Sequence, residues 1–205
     1  MYLVDIGNRY AHLFDGKTAY NLSYQELFDN YKDKRLYYIN VNSKIENSLL
    51  KVKNWIDLEP FVNIKGAYRG MGIDRKVLLN SAGDGIYIDA GSAITIDLKY
   101  NSEFKGGTIL PGIWRVKECY IDISSVLTID RVNRVNINKL PNTTTKDSIS
   151  YGIIAPIVAL VEKINIYNLP IYCCGGDGEL LSTYLNGIYD KFLIFKGMQN
   201  VIKEI

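Results

Sequence analysis

Histidine, cysteine and proline are scarce in this sequence of 205 residues. His12 is the single histidine, and there are three cysteines and five prolines. One histidine without a thiol or acidic cluster around it excludes the usual ligand sets of catalytic zinc sites and the base of a histidine triad. We therefore expect any chemistry here to use carboxylates, backbone amides or a bound cation.

Two common phosphate-binding fingerprints are also missing. The sequence contains neither Gly-x-x-x-x-Gly-Lys-Ser/Thr, the P-loop, nor Gly-x-Gly-x-x-Gly, the dinucleotide-binding pattern. If the protein binds phosphate, it must do so with another kind of backbone turn.

Long hydrophobic runs and a strong net charge are absent as well. The longest apolar run, residues 152–161, is about half of the roughly 20 residues that a membrane span needs. Lysine and arginine total 24 against 22 acidic residues, which leaves no basic footprint for nucleic acid. Residues 1–5 have no basic leader, and the adjacent Cys173 and Cys174 lack metal or redox spacing. We expect a cytoplasmic protein that binds neither membranes nor nucleic acid.

Strand and helix patterns alternate in the first part of the chain. Residues 2–6 and 10–14 are typical of a strand hairpin, a third strand follows near Ala19, and residues 36–41 form a buried strand. Two capping boxes predict helices, Ser23 with Glu26 and Ser43 with Glu46. This alternation indicates an α/β fold.

The second part begins with another hairpin pattern. Residues 86–88 and 93–98 flank the turn at 89–92, and residues 107–110 follow as a third strand. A helix over 146–164, interrupted or bent at Pro156, comes next. The remaining elements are a strand at 171–174, a helix from about Glu179, a strand at 192–195 and a terminal helix.

The two hairpins share a pattern. Asp5-Ile6-Gly7-Asn8 and Asp89-Ala90-Gly91-Ser92 both follow an apolar strand with Asp, any residue, Gly and a small polar residue. Such a turn brings backbone N–H groups to a phosphate while the carboxylate faces it through a cation. Either copy alone could be an ordinary hairpin turn. Both together favour phosphate binding and two related halves, residues 1–82 and 83–205.

These turns and three further segments carry a family resemblance. In order along the chain the further segments are Gly72-Ile73-Asp74-Arg75, Gly106 to Gly112, and Gly175-Gly176-Asp177. The ordered set resembles type III pantothenate kinase, a family of the actin-like ATPase superfamily. The resemblance implies two ribonuclease H-like halves, each a mixed sheet flanked by helices, with the nucleotide cleft between them. It also implies ATP-dependent phosphorylation of pantothenate at the start of coenzyme A synthesis.

The resemblance assigns a nucleotide site to the two turns. Asp5 would face the triphosphate through magnesium and water, and Asp89 would hold a monovalent cation, potassium or ammonium. Further residues would contact ATP, and these are Ile6, Gly7, Asn8, Arg9, Tyr10, Ala11, His12, Ser92, Gly175 and Gly176.

The pantothenate site is assigned in the same way. Asp74 would be the catalytic base, which suits a chain without a usable histidine. The other substrate contacts implied are Tyr68, Gly72, Ile73, Arg75 and Thr145. From the residues alone, Asp74 and Arg75 could equally be a surface pair at a helix N-terminus.

The sequence departs from the family pattern at several positions. Arg9 and His12 stand where Thr and Lys are usual, and Cys174 replaces a Thr before the paired glycines. Lys65 occupies the place of a substrate tyrosine, for which Tyr68 is the nearest substitute. A non-catalytic nucleotide-binding regulator, or a kinase for another hydroxylated substrate, therefore stays open.

A homodimer is also expected. The resemblance implies one, and the apolar helix at residues 153–161 has few polar positions for a freely exposed face. Because Thr145 lies just before this helix, it would reach the partner's substrate.

Overall fold

The structure is a computed structural model that describes every residue from Met1 to Ile205. The chain divides into two compact units. Unit 1 comprises Met1–Gly83, Ser102–Phe104 and Phe192–Ile205, and unit 2 comprises Asp84–Asn101 and Lys105–Lys191. These units differ from the halves 1–82 and 83–205 chiefly in the C-terminal segment, which belongs to unit 1.

Unit 1 contains a five-stranded mixed sheet in the order β3-β2-β1-β4-β5. The strands are β1 (Tyr2–Ile6), β2 (Ala11–Phe14), β3 (Ala19–Leu22), β4 (Leu36–Asn40) and β5 (Trp55–Asp57). β1, β2 and β3 are antiparallel neighbours, whereas β1, β4 and β5 are parallel. Both faces of β1 are covered, since Leu3 lies in one core cluster and Val4 and Ile6 lie in another. The predicted mixed sheet is confirmed.

Four helices belong to unit 1, α1 (Tyr24–Tyr31), α2 (Glu46–Leu49), α3 (Ile73–Leu79) and α7 (Leu193–Lys203). The capping box of Ser23 and Glu26 at α1 is confirmed. The second predicted capping box is wrong, because the Asn42 side chain accepts the Lys44 N–H and starts a short 3-10 helix (Ser43–Ile45) before α2. The cap therefore lies one residue earlier than the sequence suggested.

The C-terminal segment is helical from Leu193, so the strand predicted at residues 192–195 is wrong. Apolar residues recur there at helical spacing, and Phe195, Met198 and Val201 are buried in unit 1. Phe195 stacks on Phe14 with ring centroids 5.1 Å apart. Gly197 has no side chain to separate α7 from the backbone of α3, where an added Cβ would meet the Val77 carbonyl group. These contacts bring α7 into unit 1.

Unit 2 repeats the plan of unit 1. Its sheet has the order β10-β9-β6-β7-β8, with β6 antiparallel to β7 and parallel to β9. The strands are β6 (Gly85–Ala90), β7 (Ala93–Tyr100), β8 (Glu103–Pro111), β9 (Ile171–Cys174) and β10 (Ile188–Tyr189). The first two residues of β8 are counted with unit 1. In both sheets the first strand lies in the centre, between an antiparallel hairpin partner and a parallel strand. The repeat inferred from the two turns thus extends to the topology.

The helices of unit 2 are α4 (Ile113–Ile123), α5 (Thr145–Ile164) and α6 (Gly178–Leu185). α5 continues through Pro156 without interruption, and Pro156 is exposed. Its apolar face, which includes Ile153, Ile157 and Val161, is buried in the core of unit 2. None of the helices combines the length and the apolar character needed to span a lipid bilayer.

Candidate active site

The first phosphate-type turn connects β1 to β2 in unit 1. The Gly7 N–H donates to the Tyr10 carbonyl at 3.1 Å, which closes the turn. Asp5 precedes the turn in β1 and is half-buried, whereas the tip of the turn, Asn8, Arg9 and Tyr10, is exposed. The tip of the turn therefore faces solvent.

Two residues that sequence analysis did not single out hold this turn in place. The Tyr24 hydroxyl donates to the Gly7 carbonyl at 2.7 Å, and Asn42 Nδ2 donates to the Tyr24 hydroxyl at 2.8 Å. Asn42 is only 4% exposed. This chain of hydrogen bonds fixes the peptide carbonyl of Gly7 from within the unit. No local signal marks it, because the three residues are far apart in sequence.

His12 lies directly opposite Asp5 on the neighbouring strand. The two are Cα partners across β1 and β2, and His12 pairs with Asn21 across β2 and β3. His12 Nδ1 is 2.6 Å from Asn21 Oδ1, a hydrogen bond in which the ring N–H donates. The only histidine therefore pairs with a neutral side chain, Asn21, next to the candidate phosphate turn. The residue before it, Ala11, is buried in β2.

Asp74 is the second residue of α3, which begins after Gly72. Its Oδ1 accepts the Arg75 N–H at 2.8 Å. A Cβ on Gly72 would lie 2.5 Å from the same oxygen, so glycine leaves room for the carboxylate over the helix N-terminus. Burial raises the pKa of Asp74, and the backbone N–H and positive charge of Arg75 oppose that rise. A carboxylate made more basic by desolvation is suited to accept a proton.

Arg75 is a charged side chain that is only 5% exposed. Its Nη1 donates to the Tyr68 hydroxyl at 2.8 Å, and its guanidinium lies 5.9 Å from the ring centroids of Tyr68 and Phe104. Tyr68 itself is 52% exposed. The structure thus brings Tyr68 together with the Gly72 to Arg75 segment, and it adds Phe104, which sequence analysis missed. Lys65, at the position of the expected tyrosine, pairs with Glu103 instead.

The second phosphate-type turn follows β6 in unit 2. Asp89 is within β6 rather than in the turn, and the Gly91 N–H donates to the Ala93 carbonyl at 2.9 Å. The buried Gly112 packs against this turn, where its N–H donates to the Ser92 carbonyl at 3.1 Å. A Cβ on Gly112 would lie 2.7 Å from that oxygen. The Gly106 to Gly112 segment therefore supports the turn through its last residue.

The paired glycines lie at the same end of the sheet. Gly175 has φ of +82°, and a Cβ there would lie 2.6 Å from both Asp89 Oδ1 and the Ala90 carbonyl oxygen. Gly176 has open space around it. The Asp177 N–H donates to the Ala90 carbonyl at 2.9 Å, and burial raises the pKa of the Asp177 carboxyl. Asp89, Ser92 and Gly175 thus converge at the end of β6.

Thr145 is the first residue of α5 in unit 2. The organising residue there is Asp147, whose carboxylate accepts from the hydroxyls of Thr143 and Thr144 at 2.6 and 2.8 Å and from Asn133 Nδ2 at 2.9 Å. The hydrogen bond from Thr143, followed by those from Asn133 and Thr144, lowers the pKa of Asp147 to about 2. The sequence predicted Thr145 but not this network.

Comparisons with known proteins agree on one family. The family model described as type III pantothenate kinase matches residues 23–166. A type III pantothenate kinase of Campylobacter hominis is 42% identical, covering 100% of this chain and 98% of the relative. Another, of Campylobacter jejuni, is 40% identical and covers 100% of this chain and 97% of the relative.

Solved structures with a similar fold include a relative of this chain and a more distant kinase. A Campylobacter jejuni crystal structure named as a Baf family transcriptional activator is 39% identical with a TM-score of 0.89, covering 100% of this chain and 98% of that one. One named as a 2-dehydro-3-deoxygalactonokinase, from Sinorhizobium meliloti, has a TM-score of 0.55 at 9% identity and covers 100% and 96% of the two chains. The latter likeness concerns the fold alone. The chain belongs to the type III pantothenate kinase family, enzymes that phosphorylate pantothenate in coenzyme A biosynthesis.

Proposed function

We propose that the chain transfers the terminal phosphoryl group of ATP to the primary hydroxyl of pantothenate and forms 4'-phosphopantothenate. The observation that carries the proposal is Asp74, a carboxylate with a raised pKa next to the buried Arg75. Family membership supports the substrate. We place the reaction in the cytoplasm, where the three free cysteines would stay reduced.

In the proposed step, Asp74 accepts the hydroxyl proton of pantothenate as that oxygen forms a bond to the terminal phosphorus. The bond between this phosphorus and the bridging oxygen breaks, and ADP leaves with that electron pair. Arg75 would bind or orient the carboxylate of pantothenate. The Arg75 guanidinium is always charged, and its position is fixed by the hydrogen bond to the Tyr68 hydroxyl. Phosphoryl transfer needs little more from a protein than such positioning and charge stabilisation.

Each of the two turns would supply contacts to ATP. The backbone from Ile6 to His12 and the Ser92 hydroxyl would contact phosphates, and Gly175 and Gly176 would lie near the adenosine. Asp5 would hold Mg²⁺ through water, which fits its single half-buried carboxylate, because Mg²⁺ bound with ATP keeps several waters. When bound, the ion would neutralise phosphate charge.

A monovalent cation, K⁺ or NH₄⁺, would bind at Asp89. The fit is supported by the absence of a side chain at Gly175, where a Cβ would lie 2.6 Å from Asp89 Oδ1 and would crowd the carboxylate. No group of three or more His, Cys, Asp or Glu side chains forms a metal cluster in the chain. One carboxylate with neutral oxygens suits a monovalent ion better than a transition metal.

We also propose a homodimer, for a different reason from the one the sequence suggested. The apolar face of α5 is buried in its own unit and does not need a partner. Exposed apolar side chains lie instead at α4 and the turn that follows it, where Trp114, Ile123 and Val126 are 46, 72 and 83% exposed. Exposed apolar side chains that form a contiguous surface are typical of an interface, and we propose that these three contribute to one. A monomeric mass by light scattering at micromolar concentration, with full activity, would contradict the dimer.

An ATP-consumption assay tests the substrate. Pantothenate should stimulate ADP release and yield a phosphorylated product by mass spectrometry, whereas sugars and acetate should not. Turnover of a sugar in place of pantothenate would assign the chain to another kinase activity. In KCl or NH₄Cl the rate should exceed that in NaCl at equal ionic strength, and equal rates would contradict a cation role for Asp89.

A non-catalytic nucleotide-binding regulator is the second candidate. It is favoured by the name of the Campylobacter jejuni structure and by Arg9, which replaces the usual threonine of the first turn. Retention of Asp5, Asp74 and Asp89 argues against it. ATP binding without turnover of any of the three substrate classes would support the regulator.

A further inference from the structure

Thr95 carries a buried polar atom without a partner. Its Oγ1 is inaccessible to solvent and has no hydrogen bond, and it is the only side-chain nitrogen or oxygen in the chain of which this is true. Leaving a buried hydroxyl unsatisfied is destabilising, so native proteins normally supply a water, an ion or a protein group. The hydroxyl therefore indicates a missing partner at this point of β7.

Thr95 lies directly beside Asp89. The two residues are Cα partners across the antiparallel pair β6 and β7. Residues opposite each other on such a pair project from the same face, with Cβ atoms about 4.5 to 5.5 Å apart. A hydroxyl and a carboxylate thus occupy the same face of the sheet at neighbouring positions.

The backbone packs closely around Asp89 on its other flank as well. On the other flank of Asp89, β9 contributes Cys174 as the Cα partner, and Gly175 follows with no side chain. A Cβ at Gly175 would lie 2.6 Å from Asp89 Oδ1. Glycine therefore places no side chain against the carboxylate at this end of the strand.

We infer that the Thr95 hydroxyl oxygen is a ligand of the monovalent cation at Asp89, an inference that rests on the proposed function. Potassium is coordinated by neutral oxygens that replace its hydration shell, and a hydroxyl is such an oxygen. The cation would use one negative ligand, Asp89, and one neutral ligand, Thr95, from adjacent strands. Binding would satisfy the orphaned hydroxyl and thereby stabilise unit 2.

The test uses thermal unfolding of the full chain, with and without Mg-ADP, in KCl or in tetramethylammonium chloride at equal ionic strength. The wild type should unfold at a higher temperature in KCl. Thr95→Val keeps the shape but removes the hydroxyl, so in tetramethylammonium chloride it should be at least as stable as the wild type. Its KCl-dependent shift should vanish, or its half-saturating KCl should rise about tenfold, as expected when about 1.4 kcal/mol of binding energy is lost.

Matched variants separate the possible outcomes. Thr95→Ser keeps the hydroxyl and should keep the KCl shift, Thr128→Val is an exposed control that should behave as wild type, and Asp89→Asn should lose the shift. If Thr95→Val keeps the shift and Asp89→Asn loses it, the inference is wrong while the cation site stands. If Asp89→Asn also keeps it, or the wild type has none under either condition, both fail. A Thr95→Val gain of equal size in both salts would indicate a void or water at Thr95 and overturn the inference.

Discussion

Asn133 Nδ2 donates a 2.9 Å hydrogen bond to Asp147 Oδ1 and thereby joins the N-terminus of α5 to a loop 14 residues earlier. Thr144 caps the helix, because its hydroxyl accepts the Asp147 N–H at 3.0 Å, and the same hydroxyl donates to the Asp147 carboxylate at 2.8 Å. Thr145, the proposed substrate contact, is the first of the two residues between Thr144 and Asp147 in this capped turn. Its position therefore depends on Asp147.

Asp147→Ala should raise the KM for pantothenate several-fold and leave kcat nearly unchanged, because the change frees the segment that presents Thr145. Asp122→Asn, at the exposed end of α4, is the control and should have no effect. The pKa of Asp147 is lowered to about 2, so its contribution to stability is present above the unfolded pKa and is lost as pH falls towards 2. Acid titration of unfolding should show this loss in the wild type and not in the variant.

Asp74→Asn should lower kcat by about 10² to 10⁴, the usual effect of removing a general base. The amide keeps an oxygen for the Arg75 N–H but cannot accept the proton. ATP affinity should be unchanged, and Asp33→Asn, an exposed control in unit 1, should be fully active. Turnover within a few-fold of wild type would mean that Asp74 is not the base.

The same substitution should not destabilise the fold at neutral pH. Because burial raises the pKa of Asp74, the folded state binds its proton more tightly than the unfolded state does. Its stability contribution is therefore greatest below the unfolded pKa and declines as pH rises through the folded pKa. A neutral amide does not ionise, so the variant does not bury a charge at pH 7. The unfolding midpoint of Asp74→Asn at pH 7 should therefore equal or exceed that of wild type. A clear drop would mean that the ionised carboxylate stabilises the fold.

Arg75→Met should shift the acid limb of the kcat/KM profile to higher pH. The guanidinium lowers the pKa of Asp74, and without it desolvation acts with less opposition. Arg75→Lys keeps the charge and should shift the limb less, although both variants lose the fork that binds Tyr68. If the acid limb does not shift in Arg75→Met, the group that titrates in this limb is not Asp74.

Tyr24→Phe should weaken ATP binding by several-fold, since the Gly7 carbonyl and Asn42 both lose a partner. A net hydrogen bond contributes about 0.5 to 1.5 kcal/mol, and the buried Asn42 amide would add a desolvation cost. Tyr20→Phe, on the exposed strand β3, is the control. Isothermal titration with ADP measures the difference. Equal affinities of Tyr24→Phe and wild type would show that the hydrogen bonds from Asn42 through Tyr24 to Gly7 do not hold the phosphate turn.

Gly175→Ala should destabilise the protein by about 1 to 3 kcal/mol, because alanine at positive φ is strained and its Cβ meets Ala90 and Asp89. Gly176→Ala has open space and should change stability little. Urea unfolding of both variants checks this. Equal midpoints for the two variants would contradict the close approach at Gly175.

The sequence by itself determined the α/β class, most strands, the helix capped by Ser23 and the family. These features depend on local patterns, namely apolar periodicity, capping residues and short turns around Asp5 and Asp89. The errors were local as well. Asn42 competed with Ser43 as a cap, and the apolar residues 192–195 fitted a strand as well as the start of α7.

Only the tertiary structure decided which distant residues meet. The relay from Asn42 through Tyr24 to Gly7, the packing of Phe104 beside Arg75 and the network around Asp147 join residues that are far apart in sequence. The raised pKa of Asp74 also depends on burial, which no local pattern specifies. Thr95 was visible in the sequence as part of a strand, but its unsatisfied hydroxyl appears only when the pairing of β6 with β7 places it beside Asp89. Strand register and burial are properties of the assembled chain, because they arise from long-range packing rather than from neighbouring residues.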